Sequence, residues 1–239
     1  MNTQDLVAID MHTHLEVSCR NPFDNYGEEY DRAADKYFKN AKRPTMQETI
    51  DYYRERKIGF VNFTVDAESN LGRTRISNEE IADAAAANPD IMIAFGSIDP
   101  HKGKMGAREA RRLVEGCGVR GFKFHPTVQG FEPADKMAWP IYEVIAEHKL
   151  PAIFHSGHSG IGSSCAAAVG CVCKTAIPCC LKMWRLLSQT FKSSSLIRAG
   201  LGKMKRSRWL CISQIFGSIF PAGAPNISRL SLFNTPTLC

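Results

Sequence analysis

His12 and His14, separated by one residue, close a short apolar run that begins at Leu6. Alternate residues of a strand face the same side, so these two imidazoles can close on a single ion. Imidazole nitrogen suits Zn²⁺ and related divalent ions, and a catalytic site combines about three protein ligands with an open position. His155 ends another apolar run, Pro151 to Phe154, and is the natural third ligand from across a shared mouth. Solvated loop histidines are the competing reading of an isolated His-x-His, and a third His at a second strand end favours the metal. Other strand ends carry polar groups as well: Thr64-Val65-Asp66, Asp99-Pro100-His101, Lys123-Phe124-His125 and His158. His101 and His158 are expected to be rim residues, and Asp10 to brace the histidine pair.

The elements that must position these groups alternate regularly. Leu6 to Asp10, Gly59 to Val65, Ile91 to Phe95, Val119 to Phe124 and Pro151 to Phe154 are short apolar runs of the kind buried on both faces of a parallel sheet. Between them lie helical stretches. Thr45 with Glu48 and Ser77 with Glu80 have capping-box spacing, and further helices are expected over Gly106 to Glu115 and Met137 to His148. Strands joined by crossover helices give an α/β fold, either an open doubly wound sheet or a closed (β/α)8 barrel. No Gly-x-Gly-x-x-Gly turn or phosphate loop follows the first strand, and polar groups at five successive strand ends suit the mouth of a barrel. The long connection Leu15 to Arg43, with Phe23, Tyr26, Tyr30, Tyr37 and Phe38, is a candidate lid over that mouth.

Three segments also resemble a known family. Ile9-Asp10-Met11-His12-Thr13-His14, Gly121-Phe122-Lys123-Phe124-His125-Pro126 and Ile153-Phe154-His155-Ser156-Gly157, in that order, are similar to the amidohydrolase superfamily. The nearest pattern is the amidohydrolase-related branch that includes aminocarboxymuconate-semialdehyde decarboxylase. The resemblance spans residues 5–163 and implies the first five units of a TIM-type (β/α)8 metal-dependent hydrolase barrel. By it, His12, His14 and His155 match metal ligands, while Lys123 and His125 line the substrate pocket. A lysine at this position is carboxylated in two-metal subgroups, but one ion, Zn or Mn, is usual in this branch. The family pattern also calls for three more strands, a proton-transferring His after the sixth and a metal-binding Asp after the eighth.

The rest of the chain breaks that pattern. Of 239 residues, all 24 Asp and Glu lie between Asp5 and Glu147, so residues 1–163 carry a net charge of −4 and residues 164–239 one of +10. All seven His precede residue 159, and seven of nine Cys follow residue 163. A folded unit needs both signs of charge at its surface, so a tail without acids is anomalous. Its cysteines lack paired zinc knuckles, and a disulfide framework fits poorly with a cytosolic chain. A more specific account is a change of reading frame near Ser163. Stepping back one base, Leu181 to Gly200 (LKMWRLLSQTFKSSSLIRAG) becomes, under an allowed choice of codons, LEDVAATFPDVQIIIAHPGW. That string restores acids, a buried strand and a His-Pro-Gly, as the family's sixth strand would.

The expected function therefore belongs to a parent enzyme: hydrolysis, or non-oxidative decarboxylation, of a small carboxylic acid, ester or lactone, with hydration of an unsaturated diacid as a third possibility. The 239-residue chain, with residues 164–239 non-native, is expected to be inactive. No apolar run approaches the roughly 18 residues of a membrane span, so a cytoplasmic protein without membrane or nucleic-acid partners is expected, its parent a homo-oligomer. The alternative from another class is a non-enzymatic protein whose basic tail binds polyanions.

Overall fold

The computed structural model describes residues 3–21, 43–157 and 210–213, together with Arg32, Asp35 and Lys39. Expectations for His158, for the lid aromatics Phe23, Tyr26, Tyr30, Tyr37 and Phe38, and for Leu181 to Gly200 lie outside the described residues.

Five parallel strands follow one another in chain order. β1 (Ala8–His14) pairs with β2 (Ile58–Phe63), and β2 pairs with β3 (Met92–Ala94). β4 (Phe122–Phe124) pairs with β5 (Ala152–Gly157). The seam between β3 and β4 is closed by a parallel bridge from Gly96 to Phe122, where the Gly96 N–H donates to the Gly121 carbonyl at 2.9 Å and the Lys123 N–H to the Gly96 carbonyl at 2.7 Å. An order of 1-2-3-4-5 without reversal is that of a barrel, since an open doubly wound sheet changes direction at a switch point.

Helices cover the outside. α1 (Met46–Glu55) opens with the capping box expected at Thr45 and Glu48. After β2 come the one-turn α2 (Glu68–Leu71) and then α3 (Asn78–Ala87). α3 keeps half of its expected box: Ser77 caps the Glu80 N–H, but the buried Glu80 carboxylate turns to the chain after β1. There it accepts from the Ser18 hydroxyl at 2.6 Å and the Cys19 N–H at 2.7 Å, which anchors the start of the long connection. α4 (Gly103–Cys117) begins earlier than its apolar spacing suggests, because Asp99 caps a 3₁₀ turn, Pro100–Lys102, that leads into it. The one-turn α5 (Pro126–Gln129) and α6 (Trp139–Glu147) complete the layer. Among the described residues no helix is long and apolar enough to cross a membrane.

Strand alternation divides the apolar side chains into two cores. Phe60, Met92, Ala94, Phe122, Phe124, Ala152 and Phe154 pack outward against Ile50, Ile81, Leu113, Ile141 and Ile145 of the helices. Met11, Val61, Phe63, Phe95 and Ile153 form the inner cluster. Burial on both faces is what a barrel strand requires. Gly121 makes the inner packing possible, since a Cβ there would overlap the ring of fully buried Phe95. Gly121→Ala should therefore cost about 1–3 kcal/mol, the usual penalty of overpacking, read as a lower urea midpoint at unchanged slope; an unshifted midpoint would show that the ring yields freely.

The last described strand, β6 (Leu210–Ser213), runs antiparallel to β5, with Leu210 opposite Gly157 and Ser213 opposite Phe154. A barrel's own sixth strand would run parallel to the fifth.

Candidate functional site

The site begins at an irregularity in β1. Between Asp10 and Thr13 the register with β2 shifts, three steps on β1 facing two on β2 from Phe60 to Asn62. Such bulges re-aim side chains, and here the surroundings fix the new direction. Buried Thr13 donates its hydroxyl to the Val61 carbonyl at 2.8 Å and accepts from the Asn62 amide at 3.0 Å. Asp10 accepts from the His12 N–H at 2.9 Å and from the Tyr53 hydroxyl of α1 at 2.6 Å, so its carboxylate braces the motif. Tyr53 is itself held by stacking on Phe60, 4.6 Å between centroids.

This scaffold brings His12 Nε2 within 3.0 Å of His14 Nε2. The fully buried Phe63 ring stands edge-on to both, at 4.7 Å from His14 and 5.3 Å from His12. Lys123, which alternation turns inward from β4, is fully buried rather than on the rim. Its Nζ lies 3.3 Å from His12 Nε2 and 5.1 Å from the Phe63 centroid. His125 follows at the start of α5, and its ring stacks on that of His155 at 3.9 Å and 10°. The backbone N–H of Val128, which can only donate, points at His125 Nδ1, with Thr127 Oγ1 2.9 Å from the same nitrogen. Neutral His125 therefore carries its proton on Nε2.

Electrostatics keep His12, His14 and His125 neutral. Burial, reinforced by the Lys123 ammonium and by His155, pushes His14 down to about 3. Burial and then Lys123 hold His12 well below its ordinary value, and burial followed by His155 does the same for His125. Neutral imidazole is the metal-binding form, so His12 and His14 need shed no proton to take an ion. Their nitrogens are already near the separation that two metal–nitrogen bonds of about 2.1 Å would span.

A match to the amidohydrolase family model over residues 9–199 adds the decisive observation. The chain belongs to the amidohydrolase family. It is thus an enzyme by family, and its fold is that of TIM-barrel amidohydrolases. Among solved structures, this amidohydrolase is similar to 5-carboxyvanillate decarboxylase from Novosphingobium aromaticivorans, complexed with manganese and 4-hydroxy-3-methoxy-5-nitrobenzoic acid. The TM-score is 0.58 at 15% identity, over 81% of this chain and 64% of that one. The 5-carboxyvanillate decarboxylase of Sphingomonas paucimobilis gives a TM-score of 0.55 at 16% identity, over 77% of this chain and 64% of its own. The amidohydrolase chain thus covers less than two thirds of either structure's length. No curated protein matches it.

Within the amidohydrolase frame the strand ends divide into two sectors. β1, β4 and β5 supply His12, His14, Lys123, His125 and His155. Asp66 and Asp99, beyond β2 and β3, are consumed structurally. Asp66 Oδ2 takes the Lys102 ammonium at 2.7 Å and the Asp99 N–H at 2.9 Å. Asp99 accepts from the Ser69 N–H at 2.8 Å and the His101 N–H at 2.9 Å; burial opposes its ionisation, but these donors prevail and lower its pKa. His101 is a half-buried rim residue, its Nδ1 2.8 Å from Asp99.

Three residues that sequence reasoning missed tie the sectors together. Gln129 accepts from the His125 N–H at 2.7 Å and donates to the carbonyls of Asp66 at 2.7 Å and Ile98 at 3.1 Å. Ser97 donates to the Lys123 carbonyl at 2.9 Å and accepts from the Asp66 N–H at 3.1 Å. Asn78 holds both backbone groups of Ser97 at 2.9 Å. Among the described residues no three His, Cys, Asp or Glu close on one point at metal-binding distance. His12 and His14 meet, whereas His155 lies against His125.

Proposed function

We propose that this chain carries the ion-binding half of a mononuclear, metal-dependent enzyme acting on a small carboxylic acid, ester or lactone, by hydrolysis or by carbon–carbon cleavage with loss of CO₂. One observation carries the reading: two neutral imidazoles whose Nε2 atoms are 3.0 Å apart at the end of a barrel strand. His12 and His14 would hold the ion and His155 would join them. Bound there, zinc or manganese supplies a Lewis acid that polarises a substrate carbonyl or carboxylate. His125 offers its Nε2–H to a substrate oxygen, and the Lys123 ammonium attracts the substrate carboxylate. Phe63 walls the pocket on the barrel side and keeps water from the imidazole edges. The manganese and nitrobenzoic acid bound by the Novosphingobium decarboxylase favour this substrate class.

We also infer that residues 164–239 are the remainder of the parent gene read out of frame, and that the 239-residue chain is inactive. The parent is a homo-oligomer of the cytoplasm.

The metal reading is tested by equilibrating the chain with zinc or manganese, dialysing, and measuring bound metal. About one ion per chain is expected from a site of this kind, and His12→Ala with His14→Ala should remove it while the far-ultraviolet circular dichroism persists. Metal retained by the double variant would refute the assignment, and binding of nucleic acid without metal would favour the polyanion alternative.

A further inference from the structure

α4 and α6 lie side by side on the outside of the barrel, with a groove of about 900 Å³ between them. Two contacts fix their alignment. Ile141 packs so close to Gly106 that a Cβ there would stand 3.0 Å from it, and the Glu147 carboxylate takes two Arg111 nitrogens, at 2.9 and 2.6 Å, across 36 positions. The helices are therefore parallel and in step, and at that offset Glu143 stands level with Ala107, one position from Arg108. The two walls of the groove differ in sign. α4 brings Lys104 and Arg108 to it and α6 brings Glu143; all three are exposed, and among the described residues none has an ion-pair partner. The entries to the two helices also hold three of the five large hydrophobic side chains exposed among the described residues: Met105 at the start of α4, Trp139 at the start of α6 and Met137 in the 3₁₀ turn Lys136–Ala138 before it. Mixed charge alone is what any solvated helix face shows. Unpaired charges divided by wall, beside exposed Met and Trp, have the composition of a protein interface, where Arg, Met and Trp are enriched.

We propose that the α4–α6 groove is a self-association face, occupied by a second copy of the chain about a two-fold axis parallel to the helices. Charge complementarity selects that occupant. A partner of one sign suits one wall and is repelled by the other, whereas a two-fold copy presents the same two walls in exchanged order. Its α6 runs along this α4 and its α4 along this α6. Arg108 of each copy then meets Glu143 of the other at nearly the same height, and the entry with Met105 meets the entry with Met137 and Trp139. Such a contact is isologous and closed. The inference deepens the homo-oligomer reading of the parent and rests on it. Every residue involved precedes residue 163, so the 239-residue chain carries the whole face.

Sedimentation velocity of the full 239-residue chain at low ionic strength should show a dimer in concentration-dependent exchange with monomer. Arg108→Glu and Glu143→Arg each set like charges against each other twice about the axis. Both positions are exposed, so each variant should keep its far-ultraviolet circular dichroism and dimerise about tenfold or more weakly, the effect of two reversed surface pairs. Mixing the two variants decides the arrangement. A dimer of one Arg108→Glu chain with one Glu143→Arg chain has opposite charges at both pairs, so the mixture should regain the affinity of the unaltered chain. Variants that weaken alone and stay apart when mixed overturn the two-fold arrangement and the proposal with it. Association undiminished in either variant overturns the face and leaves the homo-oligomer reading in place, whereas an unaltered chain that is monomeric at every concentration overturns both.

Discussion

A gene with one base restored near Ser163 is expected to encode a chain that turns over a small carboxylic acid in a chelator-sensitive way, while the 239-residue chain shows no turnover. The expected difference is large because two deficits multiply. The first is chemical. The ion would have only neutral imidazoles, with no carboxylate from an eighth strand and no proton-transferring His after a sixth. General acid–base catalysis alone is typically worth about 10²–10⁴-fold. The second is geometric. β6 enters beside Gly157, at the mouth end of β5, and leaves beside Phe154, toward the opposite end. A parallel strand would deliver its last residue to the mouth; this antiparallel one carries the chain away from it. The assay sets both chains, loaded with zinc or manganese, against a panel of aromatic and unsaturated carboxylic acids, esters and lactones. CO₂ release would separate decarboxylation from hydrolysis. Equal, chelator-sensitive rates from the two chains would defeat the reading-frame account.

Acid should unfold the metal-free chain unusually early. His12, His14 and His125 have folded pKa values below the 6.5 of the unfolded chain, with His14 near 3. Below about pH 6.5 the unfolded state takes up protons that the folded state refuses, so their contribution is complete above that pH and is lost as the pH falls toward the folded values. Each histidine costs about 1.4 kcal/mol per pH unit across that window, and the three together about 4 kcal/mol. Against a typical total stability of about 5–15 kcal/mol, each pH unit below 6.5 thus removes a large fraction before most carboxylates titrate. Urea midpoints measured with a chelator from about pH 7.5 to 5 would give the slope, corresponding to roughly three protons. His14→Asn should remove about one of them. A flat profile to pH 5 would mean that the rings titrate freely and are not buried together.

The sequence revealed what depends on neighbouring residues. His12 and His14 share a strand, Thr45 and Glu48 share a helix turn, and the apolar runs mark strands whose two faces are both covered; each pattern spans a few residues. What was hidden depends on distance along the chain. Gln129 reads as a polar loop residue until its amide meets Asp66 and Ile98, and Glu80 reads as half of a capping box until its carboxylate meets Ser18. Asp66 and Asp99 looked like mouth residues because the cation hydrogen-bonded to Asp66, Lys102, lies 36 positions away and nothing local announces the pairing. The one-turn helices α2 and α5 are too short to show a helical period. Phe63, the wall of the site, looked like any core aromatic. Lys123 was recognisable as a pocket residue, but its depth follows from strand alternation combined with burial on both faces of β4.

The ties made by Asn78, Ser97, Gln129 and the Asp66 cluster have a consequence for how such a chain is made. All of them connect residues between 66 and 129, so every partner has been synthesised before codon 163 is read. Domains generally fold as units while the chain emerges. The framework that fixes Lys123 and His125 therefore draws on no residue beyond 129, and a change in the sequence after Ser163 removes none of these ties. The proteolytic pattern should follow: cuts within 66–129 are expected to come late, because opening that stretch means breaking several buried hydrogen bonds together.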